Sequence, residues 1–165
     1  MSLGQIIAAE MKQEAATTRR LLERLPADKL MWKPHEKSMS LEHLAGHIVE
    51  MIAWTGPTLT QDELDFATMN YKRKEYTDPA ELVADLDKNV SDALEVLENT
   101  SDEAMAGTWT LRNGEQKFFT LPKPAVMRSF VMNHIVHHRG QLSVYMRLLD
   151  IPLPSIYGPT ADEPM

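Results

Sequence analysis

Histidine is placed unevenly along this chain. There are six: His35 stands alone, His43 and His47 form one cluster, and His134, His137 and His138 form another. His134 and His138 are four residues apart, and on a helix that spacing stacks two imidazoles on one face. Two such rings suit neighbouring positions on one metal ion. Ile135 follows His134, so the pair lacks the glutamate of the HExxH metalloprotease motif, and a zincin-type protease is not expected. At ~100° per residue, His134 and His138 lie within about 20–40° of the centre of an apolar stripe formed by Met127, Phe130, Val131, Leu142, Tyr145, Leu148 and Leu149. Gln141 lies there too. Polar groups in such a stripe need hydrogen-bond or metal partners, because burying them unpaired costs about 1–3 kcal/mol each. The alternative for the same residues is a pair of core histidines bonded to carbonyls.

A third donor has to come from a facing helix. His47 lies about 100° from the apolar centre of its own helix and His43 about 140°. His47 is therefore the choice, and His43 is expected at the surface. Near the centre of the first helix's apolar face sit Glu14 and Thr18. Glu14 is a candidate general base, or a carboxylate that orients a ligating histidine. Its other reading is a carboxylate exposed at the mouth of the helices. Arg139 points away from the metal face and is expected in a surface or interface ion pair.

The elements that position these residues follow from periodicity and caps. A first helix is predicted from Leu3 to Leu25, with Leu3, Ile7, Met11, Leu21 and Leu22 on one face and Pro26 as its stop. Ser40 is a good N-cap for a second helix carrying Leu41, Leu44, Ala45, Ile48 and Ile52, ended by Gly56-Pro57. Residues 58–77 read as a long loop, with Lys72-Arg73-Lys74 as a solvated basic patch. Asp78-Pro79-Ala80-Glu81 combines a cap, a proline at the first helical position and an acid three residues on, and opens a third helix that runs to Thr100. Within residues 101–122, the apolar and β-branched Trp109-Thr110-Leu111 and Phe118-Phe119 flank Asn113-Gly114, which predicts a short β-hairpin. A fourth helix follows from Ala125 to Leu149, and the proline-rich tail 151–165 is extended. The whole chain, 1–165, reads as one all-α domain: an antiparallel four-helix bundle with a short β-hairpin between helices three and four.

Composition narrows the function classes. The chain has 165 residues, a net charge of −7 and no cysteine. Disulfides, iron–sulfur clusters and a cysteine nucleophile are excluded, so any protein metal site must use His, Asp or Glu. An acidic chain without a basic stripe is a poor partner for nucleic acid or an anionic membrane. With no signal peptide and no long apolar run in view, a cytoplasmic location is expected. The eleven methionines and three tryptophans read as core packing.

The run His134-Ile-Val-His137-His138-Arg139-Gly140-Gln141-Leu142 resembles the C-terminal signature of the DinB/YfiT-like superfamily. Leu148-Leu149-Asp150-Ile151-Pro152, Ser155-Ile156-Tyr157-Gly158-Pro159 and Leu44-Ala45-Gly46-His47-Ile48 are similar to other parts of that pattern. The resemblance covers essentially the whole chain. It implies a four-helix bundle that often dimerises, with a divalent metal, nickel or zinc, held by His47, His134 and His138. Some relatives use a low-molecular-weight thiol such as bacillithiol or mycothiol. Two function classes follow. One is a metal-dependent enzyme acting on a small molecule through water or a thiol, with Glu14 as base or orienting group and Gln141 orienting a ligand. The other is a non-catalytic helical binding protein with a structural metal or none.

Overall fold

The computed structural model describes residues 1–164; the last residue of the tail, Met165, lies outside the described residues. The chain is mostly helical with a small sheet. Its long helices are α1 (Leu3–Leu22), α2 (Leu41–Ala53), α4 (Pro79–Asn99) and α7 (Asn133–Leu148). Each start has a local cause. The Ser2 side chain accepts from the Gln5 backbone N–H in a reciprocal capping box. Ser40 accepts from the His43 N–H at 3.0 Å, and Asp78 from the Ala80 N–H at 2.9 Å with Pro79 following it.

α2 is the central element, packed on both α4 and α7, while α4 also packs along α1. It is accordingly buried on most sides, including Leu41, Leu44, Ala45, Ile48, Val49 and Ile52. His43, His47, Glu50 and Trp54 are its half-buried stripe. The buried face of α1 begins with small residues, Gly4, Ala8 and Ala15 with Met11 and Thr18, and ends with the fully buried Leu21 and Leu22, while Leu3 is exposed rather than packed. That face lets α1 approach α4 so closely that a side chain at Gly4 would overlap the Leu97 carbonyl.

Several boundaries differ from the sequence expectation. Gly56-Pro57 does not end the helical path: after a break at Trp54 the chain continues as α3 (Thr55–Thr60). Pro57 sits in the first turn of α3, where a missing N–H costs nothing. Residues 58–77 are not all loop, because β1 (Glu63–Asp65) pairs in parallel with β2 (Thr108–Asn113). β2 in turn pairs antiparallel with β3 (Gln116–Pro122), around Gly114 at φ +59°, so the chain is not purely α. A short α5 (Asp102–Met105) lies between α4 and β2. The sheet covers a second, smaller core of Trp109, Leu111 and Val126.

The final helical run starts as α6 (Lys123–Val126), widens into a π-helical segment, Met127–Met132, and continues as α7. The π segment shifts the helix face, so the buried positions after it are Ile135, His138, Arg139, Leu142 and Met146. A uniform 100° projection misplaced the stripe, and Leu148 is 59% exposed.

The basic run is not a free solvated patch. Arg73 donates to the buried Glu42 carboxylate at 2.6 Å, and Lys74 to Asp85 at 2.7 Å. Glu42 also accepts from the Tyr76 N–H at 3.1 Å. These contacts moor the segment after β1 to α2 and α4. The tail is moored likewise, by Glu163 to Arg20 and Arg24 and by Asp162 to Arg147.

Candidate metal centre

Three histidines from two helices converge. His47 of α2 meets His134 and His138 of α7, with one potential donor atom from each all within 4.8 Å of one another. The ring centroids are 5.2 Å (47–134), 4.7 Å (47–138) and 4.7 Å (134–138) apart. The i,i+4 spacing on α7 supplies two of the rings, and the crossing of α2 supplies the third.

The outer nitrogens are oriented. The His138 Nδ1–H donates to Gln141 Oε1 at 2.7 Å, and the His134 Nδ1–H to the Phe130 carbonyl at 3.3 Å. His47 Nδ1 faces Glu50 Oε2 at 3.9 Å. At His134 and His138, protons held on Nδ1 leave the Nε2 lone pairs free, which is the arrangement metal-ligating imidazoles adopt. Electrostatics agree. Burial pushes His138 down to about 4, with the neighbouring imidazoles adding to the effect. Burial and His47 lower His134 as well. Neutral imidazoles are the form that binds a divalent ion.

Not all residues singled out in the sequence join this cluster. His43 lines the adjoining cavity and is not one of the three convergent rings. His137 is exposed, its ring 4.8 Å from that of His138. Gln141 is an exposed residue rather than a buried one, and its contact is to His138. Glu14 forms no hydrogen bond to the three histidines among the described residues. Its carboxylate instead accepts from Arg139 Nη2 at 2.5 Å and from the Tyr157 hydroxyl at 2.7 Å. Arg139 is not at the surface. It is 1% exposed, and it also donates to the Glu14 carbonyl at 3.0 Å. Residues 138 and 139 point about 100° apart. α7 therefore turns His138 to α2 while Arg139 anchors it on α1.

Sequence reading missed two residues at the site. Glu50 lies one turn beyond His47, and its side chain contacts both His47 and Tyr71. Burial alone would raise this carboxyl, but those two partners hold it below the ordinary carboxylate range. Burial and Glu50 push the Tyr71 phenol up to about 12, so it stays a neutral donor. The i,i+3 relation of Glu50 to His47 was visible in the sequence, whereas Tyr71 reaches the site only through the mooring of its segment. Beside His47 lies a cavity of about 270 Å³ lined by Glu50, Met51, Trp54, Phe66, Met69 and Tyr71, with His43 and Arg73 at its edge.

The DinB family model matches residues 1–164. The chain belongs to the DinB family. It is 27% identical over 154 residues to the uncharacterized protein YrdA of Bacillus subtilis (strain 168), covering 91% of this chain and 85% of that one. A DinB-like protein from Bacillus cereus ATCC 10987 superposes with a TM-score of 0.71 at 20% identity, over 92% of this chain and 95% of the other. The DinB-like protein YjoA of Bacillus subtilis gives 0.67 at 20% identity, over 89% and 95%. At these identities the solved DinB-like structures speak for the fold. Among the described residues, no helix is long and apolar enough to cross a membrane.

Proposed function

We propose that this DinB-family chain is a divalent-metal enzyme in which His47, His134 and His138 hold one nickel or zinc ion and a small-molecule substrate binds beside it. The observation that carries this is the convergence of three imidazoles from two helices, with Nδ1 of each turned to an oxygen acceptor. Three neutral donors would leave a bound divalent ion its full charge and room for a further ligand. When bound, the ion supplies Lewis acidity, which favours the deprotonated form of a water or a thiol near neutral pH. The chain has no cysteine, so a thiol would have to arrive as a low-molecular-weight cosubstrate. The chain's own residues do the rest. Gln141 and the Phe130 carbonyl orient the His138 and His134 imidazoles, Glu50 lies beside His47, Tyr71 offers a neutral hydroxyl at the cavity, and Glu14 seats α7 through Arg139 rather than moving a proton. The same reading takes α1, α2, α4 and the α6–α7 run as a four-helix bundle and the protein as a cytoplasmic homodimer.

Elemental analysis of untagged protein purified without chelator, beside a His134→Ala/His138→Ala variant, tests the centre. About one divalent ion per chain is expected, absent from the variant. No uptake after reloading with nickel or zinc refutes the enzyme reading and leaves a helical binding protein.

A further inference from the structure

The cavity beside His47 has a chemical character of its own. Its walls are apolar: Trp54 packs edge-on against Phe66 with centroids 5.9 Å apart, and Met51 and Met69 complete the lining. Trp54 also stacks edge-on with Phe130 at 5.1 Å, and Phe130 lies 5.9 Å from the His134 ring, so one aromatic row runs from the cavity to the convergent histidines. Phe66, Met69 and Tyr71 remain 41%, 37% and 49% exposed there, grouped at one cavity rather than scattered singly. Among the described residues, the polar edge carries no free cation. Arg73 is paired with the buried Glu42 at 2.6 Å, and burial and Arg73 together hold His43 toward its neutral form. An anion therefore finds no unpaired positive side chain in this cavity. An apolar cavity of about 150 Å³ takes one benzene, and the 270 Å³ here leaves room for a ring with a short substituent.

We propose that this cavity is the substrate subsite and that it selects an uncharged, planar apolar group, an aromatic ring or its equivalent, whose polar arm reaches the His47–His134–His138 centre. Trp54, Phe66 and Met69 grip the ring, and the Tyr71 hydroxyl oxygen, its proton turned to Glu50, lies at the rim as an acceptor. The proposal rests on the metal-centre reading for the destination of the arm, while the ring site itself is built from residues outside the histidine cluster.

The test uses the full chain loaded with zinc and two probes that share one chelating group, acetohydroxamate and benzohydroxamate. By calorimetry, benzohydroxamate is expected to bind about tenfold tighter or more, because only it buries a ring. In Phe66→Ala/Met69→Ala that preference collapses to about twofold or less, while acetohydroxamate binds as before. Both side chains are more than a third exposed, and a thermal melt verifies that the variant is folded. Equal affinity of the two probes for the parent protein overturns the ring subsite and leaves the metal reading standing. A second readout needs no metal: methyl spectra of [13C-methyl]methionine protein, metal-free, titrated with benzyl alcohol. Shifts at Met51 and Met69 with Met105 unmoved support the subsite. Their absence overturns it, even in a protein that takes up zinc. If the protein takes up no metal, the methionine shifts alone decide the subsite while the metal centre falls separately.

Discussion

Replacing Arg139 with methionine is the perturbation whose cost the structure specifies best. Arg139 and Glu14 are joined by a hydrogen-bonded ion pair whose side chains are 1% and 13% exposed. Removing one member of a buried pair strands the other charge, at a typical cost of about 3–5 kcal/mol. Glu14 keeps the Tyr157 hydroxyl bond at 2.7 Å and a little solvent, which places the expected loss near the lower end, about 3 kcal/mol. For a chain of this length that corresponds to a fall in Tm of roughly 6–12 °C. Methionine fills much of the volume, so the loss reports the stranded charge more than a void. Urea unfolding with an unchanged m-value gives the number. The double variant Arg139→Met/Glu14→Gln should be more stable than Arg139→Met alone, since no bare carboxylate then remains. A loss under about 1 kcal/mol, the ordinary worth of an exposed pair, or a double variant that simply sums the two single losses, would refute the view that this pair seats α7 on α1.

Other outcomes follow from the same geometry. Gln141→Ala frees the His138 ring and is expected to weaken zinc binding about 10–100-fold with little change in the melt; competition with a chromogenic chelator measures it, and unchanged affinity removes Gln141 from the site. Metal-free protein should lose stability as the pH falls from about 6.5 toward 4, because His138 titrates near 4 in the fold and near 6.5 when unfolded. The unfolded chain binds that proton first, so the contribution is absent above this window and grows destabilising within it. Carboxylates titrate in the same range, so the decisive quantity is the slope relative to His138→Asn, which should be flatter; equal slopes contradict the assignment. Gly4→Ala should destabilise by about 1–3 kcal/mol through forced separation of α1 from α4, despite alanine's better helix propensity, and a more stable variant would show that the approach at Leu97 is slack.

Much of the scaffold was legible because its causes are local. Ser40 and Asp78 announce helix starts through bonds to residues two or three positions on, and Pro79 pre-sets the first turn. His134 and His138 share a face by helical arithmetic alone, and the absence of cysteine limits the donor set before any coordinates exist. The seating of His47 was legible only as a choice between two histidines. Its wheel position, well off the apolar centre, suits an edge, and it reaches α7 because α2 is packed between α4 and α7 and buries nearly its whole circumference.

Tertiary structure alone decided the rest. Arg139 looks like a surface cation on any helix wheel, yet a partner on α1 and a tyrosine from the tail turn it into a buried anchor. The π segment at Met127–Met132 rotates the face that follows it, and no regular 3.6-residue projection anticipates that. Lys72-Arg73-Lys74 reads as a solvated run until the buried Glu42 claims Arg73, while backbone bonds at the end of β1 hold Phe66 and Met69 and bring them with Tyr71 to the wall beside His47. Backbone caps and side-chain periodicity are set by near neighbours in the chain, so sequence displays them. Which faces meet, which charges are desolvated together and which loop closes a cavity depend on the simultaneous packing of helices remote in sequence, and only the folded arrangement resolves that competition.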